Sequence, residues 1–222
     1  MVEAHNSIIA RAAKAALAPL GFRRKGQSRI WLADHGHWLG VVEFQPSGSS
    51  KGSYLNVYAH WLWTPASTGS TFTLSYDVGG RIDSSIVFQS EQQFAVEAAS
   101  LAERAAQEAV RLRTKFHSIE SMADVLLAQE RAFAEEGRGG RWQACHAGVA
   151  CVLAGRIDEA RTILATVSHG SGPQPLIHAR AKALMAGLAD PDRLRRELLS
   201  AINRRRAAFK YPPLDELPVP VG

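Results

Sequence analysis

The chain has 222 residues, of which 46% are hydrophobic and 21% charged, with a formal net charge of +5. That is an ordinary balance for a folded protein, with enough length for one large domain or two smaller ones. It argues against a helical membrane protein, since no apolar run approaches the roughly 20 residues that cross a bilayer.

The N-terminal segment, about residues 3 to 20, places Ile8, Ile9, Ala12, Ala16, Leu17 and Leu20 at helical spacing. Arg11 and Lys14 interrupt any secretory signal, so the segment is expected to be a helix of a cytoplasmic protein. Pro19 and Gly21 stop it, and Arg23, Arg24, Lys25 and Gly26 are expected to form a basic turn.

A strand region follows. QSRIWLA, WLGVVEFQ and SYLNVYAHWLW are separated by short polar loops, and TFTLSYDV and RIDSSIVFQ flank Gly79–Gly80, read as a hairpin turn. Short connections favour an antiparallel meander of four or five strands. Phe72, Leu74, Tyr76 and Val78, with Ile82, Ile86 and Phe88, supply the apolar sides of the last two. Register parity puts Trp38, Val42 and Phe44 on the same face as Leu55, Val57, Ala59 and Trp61. The opposite face then gathers Glu43, Gln45, Asn56, Tyr58 and His60, joined by Thr73, Ser75, Asp77, Asp83 and Ser85. Trp31 and Trp63 fall at the edges of this reading.

Ser90 followed by Gln93 has the spacing of a capping box. The helix it opens carries a stripe of Phe94, Ala98, Leu101, Ala105, Leu112 and Phe116, suited to covering the apolar sheet face together with the first helix. Ile119, Met122, Val125, Leu126 and Phe133 mark another helix before the break EEGRGG, taken as a domain boundary. Beyond it, RWQACHAGVACVLAGRIDEARTIL reads as a helical hairpin turning at Ala154–Gly155, and a second pair is expected over about 174 to 188 and 191 to 209. Asp190–Pro191 is an N-cap followed by proline at the first helical position. The spacing resembles tetratricopeptide-type units, although two imperfect units are a weak repeat signal. The tail YPPLDELPVPVG is expected to be extended and docked on the body.

The expected fold is therefore α+β: an antiparallel meander packed by an N-terminal helix and a long helix, over residues 1–136. A region of helical hairpins with a proline-rich tail follows over 137–222.

The order helix, Leu20-Gly21-Phe22-Arg23-Arg24-Lys25-Gly26, aromatic strand, Val42-Glu43-Phe44-Gln45-Pro46-Ser47 and Tyr54-Leu55-Asn56-Val57 resembles a bacterial family called domain of unknown function 4304. Gly21, Phe22, Arg23, Lys25, Gln45 and Asn56 occupy its motif positions. The resemblance covers about residues 5 to 90 and implies an α+β fold, but it brings no activity or catalytic residues.

Chemistry is sparse. No nucleophile elbow, Walker loop or HExxH pair occurs, so no catalytic residues, cofactor or metal are assigned. Cys145 and Cys151, about 9 Å apart along one helix, read as two buried thiols. His35 and His37 lie in an expected tight turn without further ligands. The leading expectation is a non-enzymatic bacterial module that binds another protein, an immunity-type inhibitor of a toxin being one instance. Its contacts would be Gln45, Asn56, Tyr58, His60, Glu43 and Trp63. Two alternatives compete with it. One is a small hydrolase-like enzyme built on Glu43, Tyr58 and His60. The other is nucleic-acid binding through Arg196, Arg204 and Arg205 of the basic C-terminal helix, against which stands the lack of interleaved aromatic residues for base stacking.

Overall fold

The first apolar stripe folds as its spacing requires. In a computed structural model, helix α1 (Ala4–Leu17) buries Ile8, Ile9, Ala13 and Leu17. A single tight turn, Ala18–Leu20, ends it at Gly21, whose φ of 85° lies in the left-handed region that glycine enters without strain. The structure describes residues 4–64, 74–75, 77–137, 142–168 and 175–215, apart from the side chains at 83, 84 and 168.

A five-stranded antiparallel sheet follows, with its strands in chain order: β1 (Arg23–Arg24), β2 (Ile30–Asp34), β3 (Trp38–Pro46), β4 (Gly52–Trp61) and β5 (Val78–Val87). Arg23 and Arg24 are thus an edge strand rather than a turn. They pair with Leu32 and Trp31, and charged side chains on an edge discourage pairing with a further strand. Between β3 and β4 the register sets Trp38 opposite Trp61, Gly40 opposite Ala59, Val42 opposite Val57 and Phe44 opposite Leu55, the parity expected from the apolar pattern.

The last two expected strands are corrected. Gly79 and Gly80 do not turn the chain; they lie inside β5, opposite Tyr58 and Val57. A Cβ at Gly79 would come within 2.5 Å of the Val57 carbonyl oxygen, and its φ of 102° is strained for any other residue. Glycine here lets two backbones approach. Irregular pairing of β5 around Leu55 breaks the alternation assumed for this strand, and Ile82, expected on the apolar face, is exposed. Of the expected strand over 71–78, Thr71, Phe72, Thr73 and Tyr76 fall outside the described residues.

Helix α2 (Glu91–Lys115) opens on the expected capping box: the Gln93 N–H donates to Ser90 Oγ at 3.2 Å, and the Ser90 N–H reaches Gln93 Oε1 at 3.5 Å. It buries Phe94, Ala98, Leu101, Ala102, Ala105, Ala109 and Leu112. His5 of α1 meets the Phe94 ring edge-on at 6.2 Å.

The remaining helices are α3 (Ile119–Glu135), α4 (Trp142–Leu153), α5 (Ile157–Ser168), α6 (Pro175–Gly187) and α7 (Pro191–Ala208). The Ala154–Gly155 turn joins α4 to α5, with Gly155 at φ 76°. The Asp190 carboxylate accepts from the Arg193 N–H at 3.0 Å, and Pro191 starts α7, as the sequence implies. Two close approaches hold these hairpins. A Cβ at Gly148 would lie 2.6 Å from Leu164, and one at Gly187 would lie 2.8 Å from Leu194.

The chain divides into two compact units. One comprises residues 1–61 and 74–114; the other comprises 62–73 and 115–222. The expected boundary at 136–137 therefore shifts: α3 packs on α4 and belongs with the helices, so the glycine-rich break falls within the second unit. None of the described helices is long and apolar enough to cross a membrane.

Candidate functional site

The strand pairing assembles the expected polar face of β3 and β4. Glu43 stands opposite Asn56, Gln45 opposite Tyr54, Val41 opposite Tyr58 and Leu39 opposite His60. What parity could not tell is burial. Asn56, Tyr58 and His60 are 2%, 2% and 0% exposed, while Glu43 and Gln45 are half-buried. Of the face expected to be broadly polar, the β4 residues Asn56, Tyr58 and His60 are interior.

Its two ends differ. Toward the start of β4, the Asn56 amide donates to Glu43 Oε2 and to Gln45 Oε1, each at 3.0 Å. Arg81, from β5, donates to Gln45 Oε1 at 2.8 Å and lies 4.1 Å above the Tyr54 ring. Asn56 is thus a buried hub, and Glu43, Gln45, Tyr54 and Arg81 form a rim that solvent reaches. Arg81 escaped the sequence reading because Gly79–Gly80 was taken as a turn. Tyr54 shares the strand parity of Asn56, Tyr58 and His60 but was not counted among the expected contacts.

At the other end of β4, His60 meets Ser75 and Asp77. The Ser75 hydroxyl donates to Asp77 Oδ1 at 2.9 Å, and Asp77 Oδ2 accepts the Trp61 N–H at 2.7 Å. The Ser75 N–H faces His60 Nδ1 at 3.2 Å. Ser75 Oγ and Asp77 Oδ2 also approach this same nitrogen, at 2.9 and 3.3 Å. In a nucleophilic triad the hydroxyl and the carboxylate address opposite ring nitrogens. With both on Nδ1 and the ring buried, the group braces the chain entering β5.

Glu43 and His60 do not converge. Their partners on β4 and β3 place them about 13 Å apart along the strands, at roughly 3.3 Å per residue. The geometry needed for paired acid–base chemistry is absent at these residues. Tyr58 lies under the close pass of Gly79, whose Cβ would sit 2.9 Å from the Tyr58 Cα.

Trp31 and Trp63, the latter an expected partner contact, are both buried, at 5% and 3% exposed. Trp63 belongs to the helical unit, where its indole N–H donates to His146 Nδ1 at 3.3 Å while Trp142 stacks on the same imidazole. No exposed aromatic patch occurs among the described residues. His35 stacks on Trp38 at 4.1 Å, and burial, with Arg113 adding to it against Asp34, lowers its pKa to about 4. Burial likewise pushes the Cys145 and Cys151 thiols up, to about 11 and about 12.

Packing removes Arg205 and Arg206 from the basic C-terminal cluster. Arg205 is 9% exposed and lies 5.7 Å from the Phe209 ring; Arg206 is 3% exposed and lies 5.9 Å from Tyr211. Arg195 donates to the Leu153 carbonyl and Arg193 to Glu197. Arg205 is therefore removed from the expected phosphate-contacting set. Arg196 and Arg204 are exposed, the latter donating to Ser200 at 2.8 Å. Comparison with family models, with curated proteins and with solved structures returned no match.

Proposed function

We propose that this chain is a non-enzymatic protein-binding module whose contact surface is the rim of Tyr54, Arg81, Gln45 and Glu43 around Asn56. One observation carries the reading: Arg81 is held over the Tyr54 ring and tied to Gln45, which fixes a cation and an aromatic ring at the surface before any partner arrives. Arginine and tyrosine are enriched among interface residues that carry binding energy, and their prior ordering lowers the entropy lost on association. The buried Asn56 amide supports the arrangement from beneath, as a positioning residue.

Within that class, an immunity-type inhibitor of a toxin is the instance we favour, by analogy with other small bacterial α+β proteins that lack catalytic motifs. Kinship to the domain of unknown function 4304 family is proposed alongside it. Its support is that the motif positions Gly21, Gln45 and Asn56 carry the helix cap and the rim network, while Phe22 is buried.

The test is a pull-down from bacterial lysate with the wild type, Arg81→Ala, Tyr54→Ala and an Arg196→Ala control. A protein retained by wild type and control but lost by both rim variants supports the surface; an unchanged set of retained proteins rejects it. Should that protein be a toxic enzyme, wild type should suppress its activity and Arg81→Ala should restore it.

A further inference from the structure

The described tail of the chain offers a second recognition site, separate from the sheet rim. After α7, Lys210 takes a φ of 63°, which turns the chain back along the helix it has just left. Residues 211–215 then run without helix or strand beside α7. Asn203, in the body of α7, grips this segment by its backbone: Nδ2 donates to the Leu214 carbonyl at 3.0 Å, and Oδ1 accepts the Leu214 N–H at 2.8 Å. A turn further on, Arg206 Nε donates to the Pro212 carbonyl at 2.7 Å, with the guanidinium near the Tyr211 ring. Arg206 is 3% exposed, so this cation is turned to the protein interior rather than to solvent.

Each of these contacts except the ring reads main chain rather than side chain. They also read the groups that a Pro-Pro segment can offer. Pro212 and Pro213 have no N–H to leave unsatisfied, and Leu214 supplies the first N–H after them, which Asn203 takes. Prolines hold the backbone extended before binding, so little conformational freedom is lost when it docks. An asparagine amide paired with both polar groups of one residue reproduces one rung of a β-ladder from a helix surface.

We propose that the Asn203–Arg206 face of α7 is a binding site for extended, proline-bearing peptides with a leading aromatic residue. The chain's own segment Tyr211–Asp215 occupies it in the resting state. Being tethered, that segment is present at an effective concentration of millimolar order, so a peptide at micromolar concentration meets a closed site. Opening the tail should expose it.

The probe is a fluorescein-labelled, end-capped peptide of sequence Lys-Tyr-Pro-Pro-Leu-Asp, followed by fluorescence anisotropy against the full chain. Leu214→Pro removes the N–H that Asn203 accepts and should release the tail without touching a helix. This variant is expected to bind the peptide at least tenfold more tightly than wild type, and Asn203→Leu in the same background should abolish that binding. A peptide carrying N-methyl-leucine, which lacks the same N–H, should also fail, and it keeps the test valid should the double variant not fold. Equal binding by wild type and Leu214→Pro would overturn the proposal. So would undiminished binding of the N-methyl peptide, or no binding to Leu214→Pro at millimolar peptide.

Discussion

The two units are held by different physical means, and each has its fragile points in different places. In the sheet unit, the contacts that define geometry are polar and partly buried: Asn56 with Glu43 and Gln45, and His60 and Trp61 with Asp77. In the helical unit they are steric, with Leu164 filling the space above Gly148 and Leu194 the space above Gly187. Ala144, Cys145, Val167, Ile177 and Ala181 form the apolar core shared by α4, α5 and α6. A buried polar contact fails by leaving a group unsatisfied, whereas a close helix contact fails by overfilling. The comparison therefore predicts that deletions damage the first unit more and that additions damage the second, with an exception at Gly52 and Gly79, where sheet backbones pass closely.

That exception carries the largest expected effect. Gly79→Val adds bulk 2.5 Å from the Val57 carbonyl at a φ of 102°, combining overpacking with backbone strain. A loss of about 4 kcal/mol is expected in urea denaturation; a loss within experimental error would mean that β5 does not pass close over β4. Next is Asp77→Ala. It strips the acceptor from the Trp61 N–H and from the Ser75 hydroxyl, and should cost about 2 kcal/mol, with Asp77→Asn milder because one acceptor remains.

In the helical unit, Gly148→Ala sets a clash of about 1–3 kcal/mol against a gain in helix propensity of about 1 kcal/mol. The net loss should be near 1 kcal/mol, and adding Leu164→Val should recover most of it. Two strictly additive effects would show that these side chains do not share the space.

A final effect, of comparable size, is a pH dependence in the sheet unit. His35 titrates near 6.5 when unfolded and near 4 when folded, so acid protonates the unfolded chain first. Its contribution is complete above pH 6.5 and is lost between 6.5 and 4, about 1–2 kcal/mol after allowance for its partial exposure. His35→Phe should flatten the denaturation midpoint over that window; an unchanged pH profile would remove His35 as its source.

Much of the fold was legible residue by residue. The capping box at Ser90 and Gln93, the stop at Gly21, the turn at Gly155 and the start at Asp190–Pro191 all stand where local chemistry places them. The parity that joined Glu43, Gln45 and Asn56 was legible for the same reason, because a strand's side chains alternate whatever lies beyond it. The site was only half legible. Arg81 reaches Gln45 from β5, through a register that pattern alone did not set, and the burial of Tyr58 and His60 left no mark in their spacing.

By itself, then, the sequence determined where helices begin and end, which strand residues share a face, and that the architecture is α+β. These follow from forces acting within a few residues of chain. Tertiary structure alone decided that the β4 side of the polar face is interior, that Gly79–Gly80 is a close crossing, and that Arg205 and Arg206 serve packing. It also placed Asn203 against Leu214. Exposure and choice of partner depend on segments that meet only after the chain has folded, and no local spacing encodes them.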